Sequence, residues 1–296
     1  MKGIGTMRSS WIDRNLSWVF PLPAVLAVLL LIVGPVVANL AFSVQNRSWG
    51  IFPVPSFVGL GNFVSAFEDS RFWSSALNMF YLTIIAVPAE TVLGLALALL
   101  LNRDFFLKGV VRSLVLLPMI ATPVAVALIW SLMMNPELGV LNYFLQSLHL
   151  HRSLWATSPA LAIPSIALVD IWEWTPFMAL IMLAALQSLS QDQMEAAKID
   201  GANALQRLFR IILPLIRPAV VVAVILRAID ALKTFDIIYV ITQGGPGTAS
   251  ETLNVYAFKS SFLYLRIGYS ASLLVILALV VVGVAAILNI WARGEK

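Results

Sequence analysis

The stretch QMEAAKIDGANALQRLFRIILP, residues 193–214, is the longest charged and amphipathic run in an otherwise apolar chain. Its first residues, Gln193 to Asp200, favour a short helix, and Gly201 suits the position after a helix where φ becomes positive. A second amphipathic helix follows. Its apolar side carries Leu205, Leu208, Phe209 and Ile212, and its polar side carries Gln206, Arg207 and Arg210. The stretch therefore predicts a helix, a glycine turn and a second helix between two hydrophobic segments.

The composition of the 296-residue chain indicates a membrane protein. It is 60% hydrophobic and 11% charged, with a mean hydropathy of +0.91, which exceeds what the core of a soluble domain needs. A helix needs about 20 mainly apolar residues to cross roughly 30 Å of hydrocarbon. Windows of that length predict six transmembrane helices, at 19–43, 73–101, 113–134, 160–187, 215–242 and 267–291. We expect an all-α, polytopic fold in which residues 1–296 form one membrane domain.

The basic residues predict the orientation of the chain. The apolar run after Arg14 is too long for a secretory signal and lacks a small-residue cleavage site, so it is expected to be an uncleaved first helix. Of 19 Lys and Arg residues, 12 fall in the terminal segments and loops of one side. These are Lys2, Arg8, Arg14, Arg103, Lys108, Arg112, Lys198, Arg207, Arg210, Arg217, Arg293 and Lys296. By the positive-inside rule both termini and the loop 188–214 are cytoplasmic.

Several kinds of site are disfavoured by the sequence. The chain has no cysteine, which excludes disulfides, thiolate metal sites and a cysteine nucleophile. His149 and His151 have no carboxylate or third histidine near them in sequence, so we expect solvated loop residues and no metal site. The stretch TQGGPGTASET, residues 242–252, lacks the Gly-Lys of a phosphate-binding loop and is typical of an external turn. We therefore expect no cofactor bound by this chain, no ATP hydrolysis by it, and no nucleic-acid face.

Charged residues inside the predicted helices point to a polar path or to buried ion pairs. They are Asp170 and Glu173 in the fourth window, and Arg227, Asp230 and Lys233 in the fifth. Because a charge at mid-membrane depth costs a few kcal/mol, such residues should face the interior of the bundle. One alternative is that Asp170 or Glu173 simply pairs with Arg227 or Lys233 to hold two helices together.

The spacing of these residues also suits recognition of a solute. Helical spacing places these residues in two stripes, each on a single face of its helix. The stripe of the fourth window is Asp170, Glu173, Trp174 and Phe177, and the stripe of the fifth is Arg227, Asp230 and Thr234. Carboxylates accept hydrogen bonds from hydroxyl groups, and indole rings stack on the apolar C–H faces of a sugar. The stripes therefore predict a path for a neutral, polyhydroxylated solute, and the excess of carboxylates disfavours an anion.

Residues 195–214 resemble the EAA loop of ABC importer permeases, in which E-A-A is followed after three residues by Gly and later by I-x-L-P. The matching residues are Glu195, Ala196, Ala197, Gly201, Ile211, Leu213 and Pro214. In that family the first helix of the loop is the coupling helix, which sits in a cleft of a cytoplasmic ATPase. The resemblance thus implies a coupling role for Glu195, Ala196, Ala197, Asp200, Gly201 and Pro214, in a coupling loop at 188–214. Small alanines allow close approach of another protein, and the charges can fix its register. On physics alone, an ordinary solvated loop helix is an equal alternative.

Four further stretches resemble permeases of the carbohydrate-uptake branch, such as the maltose, lactose and glycerol-phosphate systems. They are FVGLGNF at 57–63, LLPMIATPVAVALIW at 116–130, WTPFMALIMLAALQSL at 174–189 and FDIIYVITQGGPGTASETLNVY at 235–256. The resemblance implies a type I ABC importer permease fold in the inner membrane. It also implies a second homologous permease subunit, two ATPase subunits that use ATP and Mg, and an extracytoplasmic solute-binding protein. The implied cargo is a sugar or a sugar alcohol.

Three other functions remain open from the sequence. An ion-coupled secondary carrier would use intramembrane acids such as Asp170 and Glu173 as relays. An ABC importer for amino acids, phosphate or metal ions would share the EAA loop. An integral-membrane enzyme is disfavoured because the sequence shows no metal-ligand cluster and no nucleophile–base pair.

Overall fold

The structure is a computed structural model that describes residues 18, 20–49 and 54–294. The basic residues predicted to precede the first helix, Lys2, Arg8 and Arg14, lie outside the described residues. Within the described ranges the only sheet is a two-residue antiparallel ladder, in which β1 (Gln45–Asn46) pairs with β2 (Ser56–Phe57). All other regular secondary structure in these ranges is helical, as the composition predicts.

Five of the helices in the described ranges are long and apolar enough to cross a bilayer, and a bent pair adds a sixth crossing if it is counted as one. In chain order the helices are α1 (Leu22–Ser43), α2 (Gly61–Glu68), α3 (Ser70–Leu101), α4 (Lys108–Ile120), α5 (Pro123–Met133), α6 (Val140–Ser147), α7 (Ala162–Gln187), α8 (Gln191–Ile199), α9 (Ala204–Ala231), α10 (Asp236–Thr242), α11 (Leu253–Phe262) and α12 (Ile267–Gly294). The crossing helices are α1, α3, α7, α9 and α12, and the bent pair is α4 with α5. The all-α polytopic prediction is confirmed.

The third window, 113–134, is broken more sharply than the predicted kinked helix. Helices α4 and α5 meet at an angle of 95° across a short break. Thr122 has an extended backbone, with φ −71° and ψ 135°, because the residue before a proline is disfavoured in the α region. Pro123 then begins α5, where its missing N–H leaves no hydrogen bond unmade.

The prediction of one helix over 215–242 is wrong at both ends. Helix α9 begins in the coupling loop and runs through Pro214, with a π-helical turn at Leu208–Ile212 just before the proline. A π turn is a common way to accommodate irregular backbone within a helix. Helix α9 ends at Ala231, so Lys233 and Thr234 lie in the connection to α10 and not within a span.

The centre of the fold is the packing of α7 against α3. At their crossing, a Cβ on Gly94 would lie 2.7 Å from the Cβ of Met178, so only glycine lets the two backbones approach this closely. Leu101 at the end of α3 and Leu186 at the end of α7 belong to one buried apolar cluster. The turn after α3 and the loop after α7 therefore lie at the same end of the molecule.

The opposite end of the bundle is held by Glu251, which is fully buried after the predicted glycine-rich turn. Its Oε1 accepts from Arg71 Nε at 2.6 Å, and its Oε2 accepts from Lys259 Nζ at 2.7 Å. Burial raises the pKa of the Glu251 carboxyl, but the hydrogen bonds from Arg71 and Lys259 outweigh burial and hold that pKa below its ordinary value. Through these two bonds, Glu251 links the start of α3 to α11.

Candidate functional site: a coupling loop and a buried polar cluster on one helix

The coupling loop folds as the predicted helix, glycine turn and helix. Gly201 has φ +80°, and it lies two residues after the end of α8. The N–H of Gly201 donates to the carbonyl of Lys198 at 3.1 Å, and the N–H of Ala202 donates to the carbonyl of Ala197 at 3.0 Å. These two bonds form a Schellman motif, which satisfies the last carbonyls of α8.

The start of α9 is fixed just as firmly. Asn203 accepts from the backbone N–H of Gln206, and the Gln206 side chain accepts from the N–H of Asn203, each at 2.8 Å. This capping box stabilises the first turn of α9. Arg207 adds a bond from Nη1 to the carbonyl of Ala202 at 2.8 Å. The loop is therefore a defined helical hairpin and not an irregular solvated connection.

The surface of the hairpin is open to a partner. Glu195, Ala196, Asp200 and Pro214 are exposed, whereas Ala197 is buried against the rest of the chain. A hollow of about 460 Å³ separates α8 from the base of α9. Its walls include Ala196, Ala197 and Asp200 on one side and Arg210, Ile211 and Pro214 on the other.

Exposed apolar side chains flank the hairpin. Ile199 is 85% exposed, and Leu205 and Phe209 are also mostly exposed. Large apolar side chains grouped beside a polar loop are typical of a protein interaction surface.

The buried polar cluster is centred on Arg227 of α9, which is 1% exposed. Its Nε lies 2.7 Å from Glu90 Oε2, and its Nη2 donates to Glu90 Oε1 at 3.1 Å. The same Nη2 also donates to Asp170 of α7, and both carboxylates are fully buried. Nη1 reaches Asp230 at 3.4 Å, where the carboxylate side chain is 47% exposed. One guanidinium therefore joins α3, α7 and α9.

Trp174 packs against this cluster and lines a neighbouring cavity. The Arg227 Cζ is 5.1 Å from the centroid of the Trp174 ring, within cation–π range, and Phe177 packs edge-on against the same indole at 5.9 Å. The cavity has a volume of about 150 Å³. Its lining residues are Pro123, Asp170, Trp174, Asp230, Lys233, Thr234, Asp236 and Ile237.

The structure brings most of the predicted path residues together. Asp170, Trp174, Asp230 and Thr234 line the cavity, although Thr234 does so from the connection after α9. Arg227 and Phe177 both pack against Trp174 but are not among the lining residues. Glu173 is 2% exposed, and its Oε2 has no hydrogen-bond partner among the described residues.

The ion pair considered from the sequence is present as Arg227 with Asp170, and Arg227 also pairs with Glu90, which sequence reasoning missed. Glu90 lies in the motif VPAETVLG within the second window. A single acidic residue in a long apolar run was the available signal, since such a residue needs a partner at that depth. Lys233, the other cation considered, is exposed and has no ion pair within the described part of the chain.

Metal binding is not supported in the described ranges. They hold no group of three His, Cys, Asp or Glu side chains placed to bind a metal ion. His149 and His151 are both exposed, as expected for loop residues.

The coupling loop and the polar cluster are parts of one element. Helix α9 starts at Ala204 beside Gly201 and carries Arg227 23 residues later, a distance of about 35 Å at 1.5 Å per residue. One continuous helix therefore joins the hairpin to the guanidinium that organises the cluster.

Comparison with known proteins agrees with this architecture. Residues 90–294 match the family described as "Binding-protein-dependent transport system inner membrane component". The chain is 39% identical to the trehalose/maltose transport system permease protein MalF of Thermococcus litoralis, over 86% of each sequence. It is 38% identical to the sulfoquinovosyl glycerol transport system permease protein SmoG of Agrobacterium fabrum, over 90% of this chain and 86% of that one.

The fold is shared with a solved structure. A chain in the crystal structure of a bacterial alginate ABC transporter, in complex with an alginate-bound periplasmic protein, superposes with a TM-score of 0.84. The superposition covers 96% of both chains at 23% identity, which shows a common fold. Together with the family match and the relatives named as permeases, this places the protein: it belongs to the family of inner membrane components of binding-protein-dependent transport systems, as a permease of the sugar ABC transporter type.

Proposed function

We propose that this chain is the membrane-spanning permease subunit of an ATP-driven ABC importer that carries a sugar or a sugar alcohol into the cytoplasm. The observation that carries the proposal is the continuity of α9, which joins the exposed hairpin at Gly201 to Arg227 in the buried cluster. Because the helix is continuous, a force on the hairpin can change the packing around the cavity.

The partner at the hairpin is a cytoplasmic ABC ATPase. Exposed Glu195 and Ala196, with the apolar Ile199, give α8 a surface that a cleft in another protein can enclose. Two such ATPase subunits use ATP and Mg, and this chain supplies only the transport path. A second homologous permease and an extracytoplasmic solute-binding protein complete the importer, which lies in the inner membrane with both termini of this chain in the cytoplasm.

Coupling requires that ATP binding stabilise one conformation of the permease more than another. In this proposal the ATPase holds α8 differently in its open and closed states, and the Gly201 turn transfers the difference to α9. The two conformations must differ in their affinity for the ATPase state, since otherwise nucleotide binding would shift nothing.

The cavity beside Trp174 suits a neutral polyhydroxylated cargo. Asp170 and Asp230 offer carboxylate oxygens to hydroxyl donors, and the indole offers an apolar face to a sugar ring. Carboxylates outnumber cations in the cluster and the cavity, which disfavours an anion. The relative named for transport of trehalose/maltose supports a carbohydrate cargo.

One observation favours an ion-coupled carrier instead. The unpartnered Oε2 of Glu173 is the kind of buried carboxylate oxygen that could bind an ion or a proton. That function leaves the capped hairpin and its exposed apolar flank without a role.

The proposal is tested by deleting the gene in its host and measuring uptake of radiolabelled solutes. We expect loss of uptake of one sugar or polyol, restored by the wild-type chain, with amino acid, phosphate and metal-ion uptake unchanged. Loss of uptake of one of those other solutes, with every sugar and polyol unaffected, would contradict the proposed cargo.

A further inference from the structure

A second, larger groove lies on the face of α7 that points away from the polar cluster. It has a volume of about 1030 Å³ and lies between α3, α4 and α7. Its lining is almost wholly apolar and includes Leu97, Leu100, Leu117 and Trp172. Trp172 and Trp174 are two residues apart, which turns their side chains about 200° from each other around the helix. The groove is thus separate from the proposed solute path.

On α3, the groove lies in the half of the membrane nearest the coupling loop. It extends along α3 from Leu93 to Leu100, about 10 Å at 1.5 Å per residue, or a third of a hydrocarbon core of about 30 Å. Leu100 lies in the last turn of α3, so this end of the groove opens toward the coupling loop. Trp130 packs on Trp172 with ring centroids 5.6 Å apart and supports the wall at the far end.

A basic turn follows α3 at this end of the groove. The N–H of Arg103 donates to the carbonyl of Leu100 at 3.2 Å, which places Arg103 directly beyond a lining residue. The turn also carries Lys108, but Asp104 already pairs with it at 3.1 Å. Arg103 is exposed and has no ion pair within the described ranges. Phe106 beside it is 88% exposed, and an aromatic among basic residues is typical of a segment at the lipid interface.

We propose that this groove binds one anionic phospholipid of the leaflet on the coupling-loop side. An acyl chain fills the apolar channel between α3, α4 and α7, and the phosphate is held by Arg103. The charge at the mouth selects an anionic headgroup over a zwitterionic one, because the bare guanidinium gains a charge-assisted bond only with net negative charge to neutralise. This site is independent of the cargo and of the ATPase.

The test uses the full-length protein in nanodiscs of mixed phosphatidylglycerol and phosphatidylcholine. After transfer to detergent, the phosphatidylglycerol that stays bound is counted by native mass spectrometry. Arg103→Gln removes the charge at the mouth. Arg112→Gln is the matched control, because Arg112 is two residues from the lining Leu114 and points to the other side of α4.

We expect Arg103→Gln to lower phosphatidylglycerol retention roughly fivefold, the factor expected for one basic residue at an anionic surface, and Arg112→Gln to leave it unchanged. Leu117→Trp, which fills the groove at a position 56% exposed, should also displace the lipid, whereas Leu132→Trp on exposed α5 should not. Equal retention in the two arginine variants overturns the proposal. So does a Leu117→Cys cross-link to a second permease chain, since a protein helix would then fill the groove.

Discussion

Replacing Arg227 by methionine tests whether one guanidinium holds three helices together. The substitution keeps much of the apolar volume and leaves Glu90 and Asp170 without their cation. Both carboxylates are fully buried, and Glu90 does not line the cavity, so water cannot replace the partner that Glu90 loses.

The structure sets the size of the effect. Removing one partner of a buried ion pair costs roughly 3–5 kcal/mol, because the remaining charge stays desolvated. Asp230→Asn, in contrast, removes a 3.4 Å contact to a side chain that is 47% exposed, and such a pair contributes about 1 kcal/mol or less. We expect Arg227→Met to be strongly destabilising and Asp230→Asn to be nearly neutral for stability.

Thermal unfolding of the purified protein in one detergent measures the difference. The triple variant Arg227→Met, Glu90→Gln, Asp170→Asn is the control, and it should recover most of the lost stability because neither fully buried partner is left with an unpaired charge. If Arg227→Met is no less stable than Asp230→Asn, the account of the cluster as a charged clamp is wrong.

Three further predictions concern the hairpin, the cavity and the external end. Gly201→Asp forces a side chain to adopt φ +80°, which costs about 1–2 kcal/mol. This variant and Glu195→Lys should both abolish ATPase copurification and uptake while membrane insertion stays normal. Normal copurification in both variants refutes the coupling role. Trp174→Ala should change which solutes are taken up without loosening ATPase docking. Trp172→Ala, on the opposite face of α7, should leave the set of transported solutes unchanged. If both variants transport the same solutes, the Trp174 indole is structural. Glu251 has a folded-state pKa below its ordinary value, so its contribution to stability is present near neutral pH and is lost as the pH falls through that lower pKa. Glu251→Gln should therefore be less stable near neutral pH and lose less stability on acidification, and an unchanged acid sensitivity in melting curves would contradict this.

Much of the fold follows from properties that sequence carries locally. Apolar length located each crossing segment, and the glycine at 201 marked a turn that requires positive φ. The ends of the helices followed less well, because proline has two opposite effects. Pro123 begins a helix and ends the preceding one, whereas Pro214 lies within a continuous helix, where a π turn precedes the proline.

The candidate site was predicted in composition but not in pairing. The spacing of Asp170 and Trp174 on one face followed from helical periodicity, and both line the cavity. Which carboxylate meets Arg227 depends on how α3 packs on α7, and Gly94 permits that close approach from far along the chain. Glu90 therefore entered the cluster through tertiary packing that no local pattern reveals.

The energy source for transport distinguishes an ABC importer from an ion-coupled carrier. The protein is reconstituted in proteoliposomes with its permease, ATPase and binding-protein partners, and uptake of the sugar identified in the host is measured with ATP and Mg on the ATPase side. We expect uptake that requires ATP, stops in Glu195→Lys, and is absent from liposomes that hold this chain alone. Solute uptake by this chain alone, driven by an ion gradient without ATPase, would contradict the account.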